Sequence, residues 1–255
     1  ARTLRLPQAS SILLGLAALA VFVGSTAIAL RERPVLTMKD MGMGAMDHGA
    51  HDVHPGHGAP APQAAMDHSS MAMRDPKIAP QVKLTPGVQM ISPMPMDRVG
   101  DRGTGLESVP HRVLTYADLM ALTPNADARP PSREVELHLT GNMERFIWGF
   151  DGEKYSENTR PIPFRLNERV RVTLVNDTMM AHPIHLHGHF FEIVNGHGTR
   201  QPRKHTVNVL PGGRVSFDFT ASEPGDWAFH CHMLLHMHAG MFRVVTVRAV
   251  EGDAR

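Results

Sequence analysis

Two short runs concentrate side chains able to do chemistry. The first is His182-Pro-Ile-His185-Leu-His187-Gly188. The second is His230-Cys231-His232-Met-Leu-Leu-His236-Met-His-Ala-Gly-Met241. Imidazole, thiolate and thioether are all metal ligands, and a thioether favours copper over zinc, calcium or magnesium. Along an extended strand, successive side chains point to opposite faces. Cys231 then faces one way and His230 and His232 the other, so one strand can serve two sites. His236 and Met241 follow closely, and a thiolate, two imidazoles and a weak axial thioether make a blue-copper electron-transfer site. Parity in the first run supplies the second imidazole. His185 and His187 share a face, while His182 has the other parity. The economical assignment puts His182, Cys231, His236 and Met241 around one copper. His185, His187, His230 and His232 then form a second, all-imidazole site. The electron path between them would be covalent, from the Cys231 sulfur through backbone to His230 and His232. Zinc is the runner-up metal, but one thiolate with an axial methionine fits it poorly. Each residue alone has a bland reading, a lone cysteine being usually a small buried hydrophobe. The joint spacing carries the argument.

The surrounding chain must position these runs. From Glu134 onward it reads as β, with alternation at Glu134–Leu139 and Arg169–Val175 and a turn at Asn176-Asp177. Strands are also expected at His205–Leu210, Arg214–Phe219, Trp227–His232 and Met241–Val247, with a turn at Pro211-Gly-Gly213. Many short strands with Gly/Pro turns mean a β-sandwich or barrel. From Val82 to Arg133 the pattern is mixed, with one short helix expected at Tyr116–Leu122.

Composition narrows the function classes. The 255 residues hold 17 His, 17 Met and one Cys, with a net charge of +1 and 5% aromatics. That balance gives no argument for nucleic acid as a partner. A single cysteine excludes an internal disulfide framework, a four-cysteine zinc site and a CxxC redox pair.

Three segments are expected. Residues 1–30 carry Arg2 and Arg5 before an uncharged stretch, and read either as a secretory signal ending near Ala27-Ile28-Ala29 or as a membrane anchor through residues 11–30. Either way the remainder lies outside the cytoplasm. Residues 31–80 are low-complexity and expected to be disordered, because they have too few large apolar residues to offset ordering entropy. Met41, Met43, Met46, His48, His51, His54, His57, Met66, His68, Met71 and Met73 there read either as a flexible copper-binding tail or as incidental parts of a plain linker. Residues 81–255 form the folded domain.

The H-x-x-H-x-H and H-C-H-x3-H-x4-M motifs resemble the C-terminal cupredoxin domain of multicopper oxidases. Arg33–Met43, the repeated Met-Asp-His, Arg112–Asp118, Glu136–Arg145 and Val175–Met180 resemble more closely the copper-resistance (CopA/PcoA-type) group. That resemblance implies an all-β, cupredoxin-like Greek-key sandwich. It implies type 1 copper at His182, Cys231, His236 and Met241, a type 2 ligand at His185, and type 3 ligands at His187, His230 and His232. It implies oxidation of Cu(I) or phenols, O2 reduction at a trinuclear cluster, and periplasmic location. The family supplies the other half of that cluster from an earlier domain, through H-x-H motifs that this sequence does not offer in a folded region. A domain or chain providing the missing histidines is therefore expected as a partner, and copies of this chain could not provide them. His189-Phe-Phe-Glu192 looks more like laccases than like the copper-resistance group.

Three functions remain open on sequence alone: part of a multicopper oxidase, a stand-alone type 1 copper electron-transfer module, or a copper-sequestering protein. Other residues read blandly. His205 is either a partner of a ligating histidine or a surface residue. His197 and His238 are expected in exposed loops, Trp227 and Phe229 in the core. Asp226 and Glu223 could relay protons.

Overall fold

A computed structural model describes residues 73–103 and 105–249. The apolar segment at 11–30 and the copper-tail residues Met41 to Met71 lie outside the described residues. Among those described, no helix is long and apolar enough to cross a membrane. Residues 73–80, assigned above to the linker, are tied to the fold. Ile91 N–H donates to Met73 O at 2.7 Å, and Ala79 is buried with Val82, Val88 and Ile91.

Among the described residues, twelve strands form two sheets: β1 Met96–Asp97, β2 Arg133–Asn142, β3 Ile147–Phe150, β4 Ile162–Arg165, β5 Arg169–Asn176, β6 His182–Leu186, β7 Phe191–Ile193, β8 Arg203–Lys204, β9 Thr206–Val209, β10 Gly213–Thr220, β11 Gly225–Cys231 and β12 Phe242–Arg248. One sheet runs β3-β2-β5-β10-β7-β8, with β1 pairing β10. The other runs β4-β12-β11-β6-β9. Leu139, Val172, Leu174 and Phe217 of the first sheet meet Ile184, Leu186, Phe229 and Val247 of the second in one buried cluster. This is the two-layer solution for strands with one apolar face, and the fold is an all-β, cupredoxin-like sandwich. Its outer polar ladders are paired too: Arg171 of β5 meets Asp218 of β10 at 2.8 Å. Arg169 meets Glu192 of β7 at 2.7 Å, both largely buried.

The helix expected at Tyr116–Leu122 shrinks to one 3-10 turn, Tyr116–Asp118. The cause is local. Asp118 Oδ2 accepts Thr115 N–H at 2.8 Å, closing a capping box around a single turn. The carbonyls of Tyr116 and Leu119 accept the Asn195 amide at 2.7 and 2.8 Å. Ala121 N–H is taken by Arg200 O at 2.9 Å, so the chain leaves extended. A true helix stands where none was expected: α1, Leu234–His238, between β11 and β12.

Candidate metal centre

β6 and β11 are antiparallel neighbours with Ile184 opposite Cys231, His185 opposite His230 and Leu186 opposite Phe229. The strand period then sorts every side chain. His182, Ile184 and Leu186 point inward at 0%, 0% and 2% exposure, as do Phe229 and Cys231 at 2% and 0%. His185 and His230 fall on the other face. Beyond Cys231 the chain turns through α1 and returns to its start: Met241 N–H donates to His236 O at 3.0 Å, and Cys231 N–H to Met241 O at 3.1 Å. This closed loop brings His236 and Met241, both buried, back to the cysteine.

Three donor atoms converge. Cys231 Sγ lies 3.6 Å from His182 Nδ1 and 3.9 Å from His236 Nδ1, and the two nitrogens are 3.1 Å apart. A cation held at about 2.0 Å from nitrogen and about 2.3 Å from sulfur spaces its ligands by about 3–4 Å. The triangle fits one ion. Among the described residues this is the group of at least three His, Cys, Asp or Glu side chains with ligand atoms close enough for a metal.

The electrostatics agree with that use. Burial, and then the neighbouring His236, push the His182 imidazole down to about 3, and burial also lowers His236. Both are therefore neutral near pH 7, the form that binds metal. Burial pushes the Cys231 thiol up to about 11. That thiol keeps its proton until the positive charge of a metal displaces it.

Three residues missed at the sequence level complete the centre. Thr178 Oγ1 lies 2.7 Å from His182 Nε2 and accepts its N–H, which leaves the Nδ1 lone pair for the site. Thr178 in turn donates to Asn176 Oδ1 at 2.8 Å. Asn176 is fixed by its amide, 2.7 Å from Met180 O and 2.9 Å from Val209 O. A histidine ligand commonly donates its other N–H in this way. The turn read at Asn176-Asp177 hinted at local side-chain bonding without showing its direction. The third residue is Trp148 of β3. Its ring stacks on His236 with centroids 4.1 Å apart and planes at 20°. Gly141, its register partner on β2, makes room, since a Cβ there would collide with the indole.

The second set is also gathered, but openly. Ring centroids are 4.7 Å apart for His185 and His187, 5.2 Å for His187 and His230, 5.6 Å for His185 and His230, and 5.5 Å for His185 and His232. His187 and His232 are exposed, His185 is half-buried and His230 buried. His187 Nε2 and His230 Nε2 approach to 3.1 Å. His230 Nδ1–H donates to Cys231 O at 3.0 Å, and His185 Nδ1–H to His205 O at 2.6 Å. Each thus keeps Nε2 for a ligand. His205 stands beside His185, centroids 5.1 Å apart. Asp226 instead pairs with Arg248 on the exterior, and Glu223 offers its backbone N–H to His189 Nε2 at 3.2 Å. His197, exposed, donates to Ala117 O at 2.9 Å.

Residues 128–251 match the multicopper oxidase family model. The chain is 44% identical to a copper resistance protein A homolog of Pseudomonas syringae pv. tomato over 86% of this chain and 39% of the relative. It is 41% identical to copper resistance protein A of Escherichia coli over 86% of this chain and 41% of that protein. Against multicopper oxidase MmcO of Mycobacterium tuberculosis the identity is 40%, over 48% of this chain and 24% of that one. The chain thus spans about two-fifths of the length of the copper-resistance relatives, 39% and 41% in these two cases.

Proposed function

We propose that this chain, which belongs to the multicopper oxidases through residues 128–251, is the electron-accepting part of a copper-resistance oxidase. His182, Cys231 and His236, with Met241 beside them, would hold a type 1 copper. His185, His187, His230 and His232 form half of an O2-reducing copper cluster whose other imidazoles come from a further domain or chain. The single observation carrying this reading is the buried triangle of one sulfur and two nitrogens with edges of 3.1, 3.6 and 3.9 Å.

A copper bound there would supply one-electron chemistry, with a potential set by the residues around it. The protein's own residues do the rest. Thr178 holds His182 in the tautomer that presents Nδ1. The sandwich core excludes water from Cys231 and Met241. Cys231 lies between His230 and His232 in sequence, so a few covalent bonds of backbone join the two donor sets. Reductants of the Cu(I) or phenolic class deliver single electrons, and the O2 chemistry waits on the missing imidazoles. Extracytoplasmic work suits residues 1–30 as a signal or anchor.

Copper reconstitution tests this. The loaded chain is expected to show an intense visible absorption from thiolate-bound Cu(II), lost in Cys231→Ser, with little O2 consumption by the chain alone. A loaded chain with no such band would overturn the type 1 assignment. Turnover of O2 as fast as a full oxidase would overturn the half-cluster.

A further inference from the structure

Every residue assigned to the type 1 centre is closed to solvent: His182, Cys231 and Met241 at 0% exposure and His236 at 2%. A reductant cannot touch any of them. What covers His236 is a run of rings. Trp148, 1% exposed, stacks on it at 4.1 Å and also meets His182 edge-on at 5.2 Å. Phe146 is 47% exposed and stands edge-on to Trp148 at 5.9 Å and to His236 at 6.1 Å. Phe146, Trp148 and His236 thus form a continuous aromatic path from water to ligand.

The path is built at a cost. Gly141 leaves the hole that the indole fills. Phe146 is held at φ 51°, in the left-handed region that bulky side chains avoid, and such strain collects at functional sites. The indole N–H of Trp148 is buried with no partner among the described residues. Buried tryptophans usually find one, so ring contact rather than a hydrogen bond sets this side chain's position. Leu234 and Leu235, which precede His236 on α1, are exposed, and the cleft lined by Tyr155, Met237, His238 and Phe242 does not include His236.

We propose that Trp148 is a positioning residue for electron transfer, bridging a reductant at Phe146 to His236. This rests on the reading of His182, Cys231 and His236 as copper ligands. The balance is simple. The donor loses one electron, the cupric ion gains it and becomes cuprous, and any phenolic proton goes to solvent. Trp148 ends the step unchanged.

The test uses the copper-loaded chain without oxygen, with hydroquinone as donor, following the bleaching of the thiolate band and titrating the potential. Phe146→Ser and Trp148→Leu are expected to slow bleaching about tenfold, the equivalent of a small rise in barrier. Trp148→Phe should recover most of the rate, and Leu235→Ser on α1 should leave it unchanged. In Phe146→Ser the band and the potential should match the parent, which a merely structural role would not give together with slower reduction. A metal-free readout accompanies it: with Trp227→Phe as background, the near-ultraviolet circular dichroism of Trp148 should change on His236→Ala. Parent-like bleaching in Phe146→Ser overturns the bridge, as does a potential shift that accounts for the slowing or an unaltered Trp148 signal in the metal-free chain. Because Phe146 is exposed, this holds even if Trp148→Leu does not fold. A parent chain with no thiolate band would overturn the copper reading itself, whereas a normal band with unchanged rates overturns only the bridge.

Discussion

The two faces of the β6–β11 pair make opposite uses of the same residue type. On the inner face, His182 and His236 meet Cys231 in a dry, braced triangle, each imidazole packed by Trp148 and one fixed by Thr178. On the outer face, His185 lies within ring-contact distance of His187, His230 and His232, with His187 and His232 exposed. Strand parity separates His182 and Cys231 from His185 and His230, and the loop through α1 adds His236 to the inner set. The opposite sheet buries and buttresses the inner set, whereas on the outer face His230 is buried against Phe242 of its own sheet and His187 and His232 stay exposed. Four imidazoles at an open face are a different chemical object from two imidazoles and a thiol in a core: adjustable where the others are preset.

The largest break in that comparison is Cys231→Ser. It removes the thiolate, so the intense visible absorption of the copper-loaded chain should vanish entirely, while the outer imidazoles stay as they are. Copper counting beside the absorption spectrum checks this, and a surviving band would sink the inner assignment. Next comes Thr178→Val, which keeps the shape and deletes the acceptor for His182 Nε2. Losses of about 10–100-fold in metal affinity follow removal of such partners. Competition against a chelator should show that loss at the inner site. An unchanged affinity would mean that packing by Trp148 alone orients His182.

How much of this was legible in advance divides along the same line. Inner and outer sets were separable from sequence because parity along His182–His187 and His230–His232 is a local property. The strands Arg169–Asn176 and Gly213–Thr220 were legible as well, through alternation and the Pro211-Gly-Gly213 turn. Trp148 was not, because its partner His236 is far along the chain and Ile147–Phe150 is too short to show a period. Asn176-Asp177 reads only as a turn and Thr178 carries no signal of its own, because the bonds of Thr178 to His182 and of Asn176 to Val209 depend on how β5 and β9 meet. α1 was invisible because a run of only Leu234–His238 carries no helical period. The helix expected at Tyr116–Leu122 failed for the converse reason, since Asn195 and Arg200 claim its backbone groups from a distance.

A smaller effect concerns what braces the inner set. His138 Nδ1–H donates to Asp177 Oδ2 at 2.7 Å, beside Thr178. Asp151 accepts His138 N–H at 2.9 Å. Burial pushes the Asp151 carboxyl up to about 6, only partly offset by its hydrogen bond from His138. A carboxyl raised above its unfolded value favours folding below the unfolded pKa and loses that contribution as pH rises through about 6. The Asp151 share of stability should therefore fall between about pH 4 and 6. Asp151→Asn keeps the acceptor and drops the charge, and should gain about 1–3 kcal/mol at pH 7 over its difference from the parent at pH 4. Denaturant unfolding of the metal-free chain at both pH values measures it. A difference between the two proteins that does not change with pH would show that Asp151 is ionised without penalty.

The smallest effect is the one that best separates the two faces. His187→Ala and His232→Ala remove exposed rings, so the metal-free chain should unfold within about 0.5 kcal/mol of the parent, as surface substitutions usually do. The thiolate band should keep its position and intensity, because neither ring touches the inner triangle. Only metal bound beyond the first equivalent should weaken, since His187 Nε2 and His230 Nε2 converge to 3.1 Å and no longer do so once His187 is gone. His182→Ala inverts every one of these outcomes, as it leaves a cavity in the core and unpairs Thr178. If His187→Ala instead disturbed the band, the two faces would be coupled through β6 already in the metal-free fold. The outer set would then be a preset part of the centre rather than an open one.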